Sequence, residues 1–174
     1  MTAQPNFMPA SQTASSTTLY AQADLVNNQI DWSLDDKNPP KKNSKIKLNF
    51  GPGAGQQSIS VNLIDNTGLG LQFSSDPLWV SEGGSCPPPS GVNSVQIQNV
   101  VPAGLLLTFT DMNQGDECTL IYQMNFVDRN KSLVKPLDPE IKNGGTTRAN
   151  AISATTVAIA AVAVIAVVAF LLLN

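Results

Sequence analysis

Apolar and polar residues alternate in short runs along most of the chain. Ile30, Trp32 and Leu34 are spaced by Asp31 and Ser33. Ile46, Leu48 and Phe50 are spaced by Lys47 and Asn49, and Ile59, Val61 and Leu63 by Ser60 and Asn62. Leu69, Leu71 and Phe73 follow, then Val95 and Ile97, then Leu105, Leu107 and Phe109, and last Leu120, Tyr122, Met124 and Phe126. A period of two puts the apolar side chains of each run on one face of an extended chain, which marks a half-buried strand. Turn formers separate the runs: Asn38-Pro39-Pro40, Gly51-Pro52-Gly53, Asp65-Asn66-Thr67-Gly68, Asp76-Pro77, Pro87-Pro88-Pro89, Pro102-Ala103-Gly104, Asn113-Gln114-Gly115-Asp116 and Asp128-Arg129-Asn130. This spacing predicts an all-β antiparallel sandwich of immunoglobulin-like type, with about seven or eight strands, over residues 30–141. A small barrel is the rival architecture. The Cys…Trp…Cys order of true immunoglobulin domains is missing, because Trp79 precedes both cysteines.

Outside that span the pattern changes. Residues 1–29 are rich in Ser, Thr, Gln, Ala and Asn, and are expected to be mostly a flexible polar segment. A short ordered element over 18–26 stays open. No basic stretch followed by an apolar one suggests a secretory signal. Residues 136–141 read as a last strand or extended exit, and residues 142–150 as a Gly- and Thr-containing linker.

Residues 157–173 contain no polar side chain, and the apolar character reaches back to Ala151, interrupted by Ser153, Thr155 and Thr156. About 20 helical residues cover the hydrocarbon core of a bilayer. Residues 151–173 are therefore expected to form one transmembrane helix, with Val157, Ile159, Val162, Ile165, Val168, Phe170 and Leu172 in lipid. A sandwich has no place to bury a helix that is apolar all round. Lys131, Lys135, Lys142 and Arg148 precede the run, and only Asn174 follows it. Positive flanking charge then places the sandwich on the cytoplasmic side, in the manner of a tail anchor. A lipid-anchor signal is the competing reading, but it needs a secretory leader and a longer polar spacer.

Composition narrows the chemistry. Histidine is absent, which removes the commonest general base and transition-metal ligand. The net charge of −3 with 13% charged residues argues against nucleic acid. The cluster Lys41, Lys42, Lys45 and Lys47 reads as a solvated strand face. Cys86 and Cys118 have no metal-site spacing and read as two reduced residues, unless the compartment is oxidising. The run from Gly51 to Gly55 resembles a phosphate loop only superficially, since Pro52 and the following strand deny it a helix start. Asp111, Asn113, Gly115 and Glu117 alternate like the start of a calcium loop, but Tyr122 stands where the closing Glu belongs. Both are expected to be hairpin turns. Asn130-Lys131-Ser132 is a glycosylation acceptor only if it lies outside the cytoplasm.

No catalytic, cofactor or metal residue is nominated. The leading expectation is a tail-anchored protein displaying a sandwich as an interaction or structural module. Its partners are the lipid bilayer and another protein or a second copy of itself. Residues 81–91, with Glu82, Ser85, Pro88 and Ser90, are the candidate contact loop, because they are Gly- and Pro-rich and long. The alternatives are a membrane-active effector inserting its apolar helix and a structural subunit of a membrane-containing viral or phage assembly. An enzyme is the least supported class.

Overall fold

The computed structural model describes residues 15–84, 86–137 and 140–144. Among them are eleven strands and no helix. The strands are β1 (Ser15–Val26), β2 (Gln29–Asp35), β3 (Leu48–Phe50), β4 (Gln57–Asp65), β5 (Gln72–Glu82) and β6 (Val92–Asn93). They continue with β7 (Ile97–Ala103), β8 (Leu106–Asp111), β9 (Cys118–Val127), β10 (Leu133–Leu137) and β11 (Glu140–Asn143). One sheet has the order β2-β1-β4-β8-β7. The other runs β3-β11-β9-β5-β6, with β10 also paired to β9.

The two sheets share one core. Leu19, Ile59, Val61, Leu107 and Phe109 come from the first sheet, and Leu78, Val80, Leu120, Met124, Phe126 and Ile141 from the second. The Trp32 ring of β2 stacks on Phe126 of β9 with centroids 4.3 Å apart, so side chains from opposite sheets meet directly. Phe73 tilts against Phe126 at 5.0 Å. Burying each such side chain contributes about 1.5–3 kcal/mol.

Local chemistry closes the hairpins. Val26 pairs with Gln29, leaving Asn27 and Asn28 as a two-residue loop, and both have positive φ, 50° and 60°. That is the geometry of a type I′ turn, which asparagine tolerates because its short polar side chain bonds locally. Ala103 pairs with Leu106, and Gly104 between them has φ 64°.

Several expectations need correction. Residues 15–29 are not a flexible segment. β1 lies between β2 and β4 with Leu19, Ala21 and Ala23 fully buried. Nor are the sheets purely antiparallel, because β1 pairs parallel with β4, β11 with β3 and β5 with β6. Asp76-Pro77 does not end a strand. Both lie inside β5, where the register to β9 shifts between Phe73 and Leu78, and such a bulge is where a strand tolerates proline. In the other direction, Ile46 and Leu69 fall outside the strands their runs suggested. Val95 is 81% exposed while Gln96 is buried, the reverse of the expected alternation, because Gln96 is held by loop contacts. The linker also begins later than residue 142, since Lys142 and Asn143 belong to β11 and Asn143 is fully buried. Finally, the loops at 51–56 and 112–117 are not hairpin turns. Each carries the chain from one sheet to the other, β3 to β4 and β8 to β9.

Among the described residues no helix is long and apolar enough to cross a membrane. The expected span, with Val157, Ile159, Val162, Ile165, Val168, Phe170 and Leu172, lies outside the described residues.

Candidate functional site

Three places gather polar groups, and the first is the contact loop expected from sequence. β5 ends at Glu82, and β6 runs parallel beside Val80 and Ser81. The segment between them folds back through backbone bonds, with Val80 N–H donating to the Gly91 carbonyl at 2.9 Å and Gly83 N–H to the Thr119 carbonyl at 2.8 Å. Asn93 braces the return, its Nδ2 donating to the carbonyls of Ser90 at 3.0 Å and Gly91 at 3.3 Å. Ser94 Oγ donates to Glu82 Oε1 at 2.7 Å. Of the nominated residues, Glu82 and Ser90 are exposed, and Ser85 lies outside the described residues. Pro88 is buried. The sequence reading missed two neighbours, Val92 and Val95, which stand 40% and 81% exposed. Together with Ser81, Glu82, Asn93 and Ser94 they line an open cavity of about 670 Å³.

A second groove lies over the bulge of β5. By alternation Gln123 and Asn125 of β9 belong on the face away from the core, yet both are buried. Asn125 Nδ2 donates to the Asp76 carbonyl at 3.0 Å, Gln123 Nε2 to Asn125 Oδ1 at 2.5 Å, and Ser74 Oγ to the Asp76 carbonyl at 2.7 Å. Trp79 Nε1 donates to Asp76 Oδ2 at 2.6 Å and holds the indole beside the groove. Its volume is about 370 Å³, with Lys131 and Leu133 also in its lining. Reading Asp76-Pro77 as a break hid it.

The third place is a buried polar cluster at one end of the sheets. Asp111, the last residue of β8, is fully buried. Its Oδ1 accepts from Asn113 N–H at 2.9 Å and from Asn143 Nδ2 at 2.8 Å. Asn113 Nδ2 in turn donates to the Gly51 carbonyl at 3.3 Å, joining the two crossover loops. Gln96 clasps the same loop, donating to the Gln114 carbonyl at 2.6 Å and accepting from Gln114 N–H at 2.9 Å. Tyr122 is buried close by. Among the described residues, Asp111 Oδ2, Asn143 Oδ1 and the Tyr122 hydroxyl are buried without a hydrogen-bond partner.

Electrostatics at this end disfavour charge. Burial pushes the Asp111 carboxyl above its ordinary range, against the two hydrogen bonds from Asn113 and Asn143. Burial first, and then the Asp111 carboxylate, drive the Tyr122 hydroxyl well above the usual phenol range. Burial, Glu82 and Asp111 together raise the Cys118 thiol, which is free and half-buried. A thiol raised in this way is a poor nucleophile. Among the described residues no group of three or more Cys, Asp and Glu side chains could hold a metal ion.

No protein-family profile matches the chain, and no curated protein matches it.

Proposed function

We propose that the chain is a single-span membrane protein that displays an immunoglobulin-like sandwich as a protein-recognition module. The observation that carries this reading is a core filled from both sheets by described residues, beside a separate apolar run at 157–173. With the preceding residues from 151 it is long enough as a helix, at about 1.5 Å per residue, to cover the roughly 30 Å hydrocarbon core of a bilayer. The basic residues Lys131, Lys135, Lys142 and Arg148 on its N-terminal side favour a cytoplasmic sandwich. Recognition falls to the β5–β6 edge, where Val92 and Val95 sit exposed beside Glu82 and Ser94. Short apolar side chains ringed by polar ones suit a protein partner.

Deleting residues 150–174 tests the anchor: the protein should leave the membrane pellet with its strand-type circular dichroism intact. Aggregation, or loss of that spectrum, would show that the run belongs to the fold. A photo-crosslinker at Val95 should capture a partner, while one at Lys37, in the loop after β2, should not. Equal capture at both positions rejects the β5–β6 surface. Release of vesicle contents by the purified chain would favour a membrane-active effector instead.

A further inference from the structure

Asp111 and Asn143 belong to different sheets, β8 in one and β11 in the other. Their contact therefore crosses between the layers, and it joins residues 32 positions apart. It is half of a pairing. Asn143 Nδ2 donates to Asp111 Oδ1 at 2.8 Å, while the remaining oxygen of each group, Asp111 Oδ2 and Asn143 Oδ1, is buried without a partner. With an ionised carboxylate, both of these atoms are acceptors, and neither can satisfy the other. A buried acceptor left in this state costs free energy, and a buried charge costs more.

We propose that Asp111 keeps a proton on Oδ2 above the pH at which free aspartate ionises and closes a carboxylic acid–amide ring with Asn143, a pH-sensitive latch between the two sheets. The single proton turns Oδ2 into a donor towards Asn143 Oδ1. It satisfies both orphaned atoms and removes the buried charge. The existing bond at 2.8 Å already supplies one of the two contacts of that ring.

The surroundings agree. β9 contributes Tyr122 and Cys118, both neutral at this pH, and burial raises Tyr122 and Cys118 alike. β5 contributes Glu82, a negative charge that acts on Cys118. β4 and β7 place the uncharged Gln57 and Ile97 opposite Asp111. From β11, Lys142 pairs with Glu117 of the crossover loop at 3.1 Å, with both side chains about half exposed, and Asp116 of that loop is exposed. The 51–56 loop carries no charge. No described cation pairs with Asp111, so a proton is the remaining neutraliser.

Raising the pH removes that proton and leaves two buried acceptors without a donor between β8 and β11. Because the folded state then holds a proton the unfolded chain has lost, stability falls as pH rises from the ordinary carboxyl value through the raised folded one. The fall is about tenfold in the folding constant per pH unit within that window. β11 leads directly to Gly144, whose N–H donates to the Phe50 carbonyl at 2.6 Å, and then to the segment containing the apolar run. The latch thus sits at the root of that segment, whether or not the run spans a membrane.

The test is a carbon-13 carboxyl titration of the sequentially assigned full chain in detergent micelles, with hydrogen exchange of the β11 amides measured in parallel. The expected result is an Asp111 carboxyl that titrates clearly above free aspartate. β11 exchange should quicken as it titrates. The variant Asp111→Asn, which offers the same donor without a charge, should fold, abolish the pH dependence of β11 exchange and match or exceed the wild type at alkaline pH. An Asp111 carboxyl that ionises in the ordinary aspartate range, with β11 exchange indifferent to pH, overturns the proposal; this measurement on the wild type stands even if the variant fails to fold. Stabilisation of the wild type by added sodium, potassium or calcium chloride, lost in Asp111→Asn, would also overturn it by assigning a cation to Oδ2.

Discussion

Asp65 and Asp111 begin alike and end differently. Each sits at the end of a strand, and each accepts the backbone N–H two residues ahead at 2.9 Å, from Thr67 and Asn113 respectively. They lie at opposite ends of the first sheet, because Gln57, at the start of β4, pairs with Asp111 while Asp65 closes the same strand. The difference lies in the second oxygen. Asp65 Oδ2 accepts Leu71 N–H at 2.9 Å, and Oδ1 takes a further bond from Thr67 Oγ1 at 2.5 Å. Burial is the largest single influence on Asp65 and pushes its carboxyl up, but the donors of Thr67, Leu71 and Gly70 together outweigh it and hold the carboxyl below its ordinary range. Asp111 Oδ2 has no described donor, and burial wins. One local turn thus yields a charged clamp at one end and a neutral one at the other, decided by which donors reach the outer oxygen.

The sharpest way to break this contrast is to remove Asn143. In Asn143→Leu the Asp111 carboxyl loses its cross-sheet donor in a site closed to water. The expected loss is about 2–3 kcal/mol of stability, the cost of a buried polar group left unsatisfied. Urea denaturation at neutral pH measures it. A loss under about 0.5 kcal/mol, within the range of an ordinary surface substitution, would mean that the Asp111 end is not a lock at all.

Asp65→Ala should cost less, about 1–2 kcal/mol, because Asp65 and Thr67 are half-exposed and water can replace much of the lost acceptor. Its pH signature runs opposite to that of Asp111. A carboxyl held low in the folded state contributes stability above the ordinary aspartate value, and that contribution fades as pH falls through the folded value. Acid unfolding should therefore be shallower in Asp65→Ala than in the wild type, whereas Asp111→Asn should remove the fall in stability that begins at the ordinary aspartate value and continues as pH rises. If both variants change the same limb, the two ends do not differ in the way their hydrogen bonds indicate.

The contrast was only partly legible in the sequence, for physical reasons. β4 and β9 announce themselves because Ile59, Val61 and Leu63, and Leu120, Tyr122, Met124 and Phe126, are large enough to mark a buried face. β1 hides because two of its inward positions are Ala21 and Ala23, which carry little apolar weight; Ala23 pairs with Trp32 in the register of β1 and β2. Pro77 disguises β5, since proline reads as a break unless a bulge is known to receive it. The turn at Asp65 could be read from Asp65-Asn66-Thr67-Gly68. Asp111 drew notice only as an incomplete calcium loop. Its pairing with Asn143 depends on how two sheets stack, and alternation along one strand does not encode that register between layers.

The smallest expected effect compares two ways of holding β11. On its exposed side, Glu140 accepts from Lys47 Nζ at 2.8 Å, with the two side chains 38% and 69% exposed. The distance is short and the charges are opposite, so the pair looks stronger on paper than the Asp111–Asn143 contact across the core. Water decides otherwise. Exposed ion pairs are screened and must order two long side chains, and they contribute about 0.2–1 kcal/mol. Lys47→Ala should therefore lower stability by well under 1 kcal/mol, and added salt should shrink even that difference. Hydrogen exchange of the β11 amides should scarcely change, while Asn143→Leu should accelerate it markedly. If Lys47→Ala loosens β11 as much as Asn143→Leu does, the strand is held by its surface charges, and the buried cluster is a consequence of the packing and not its fastening.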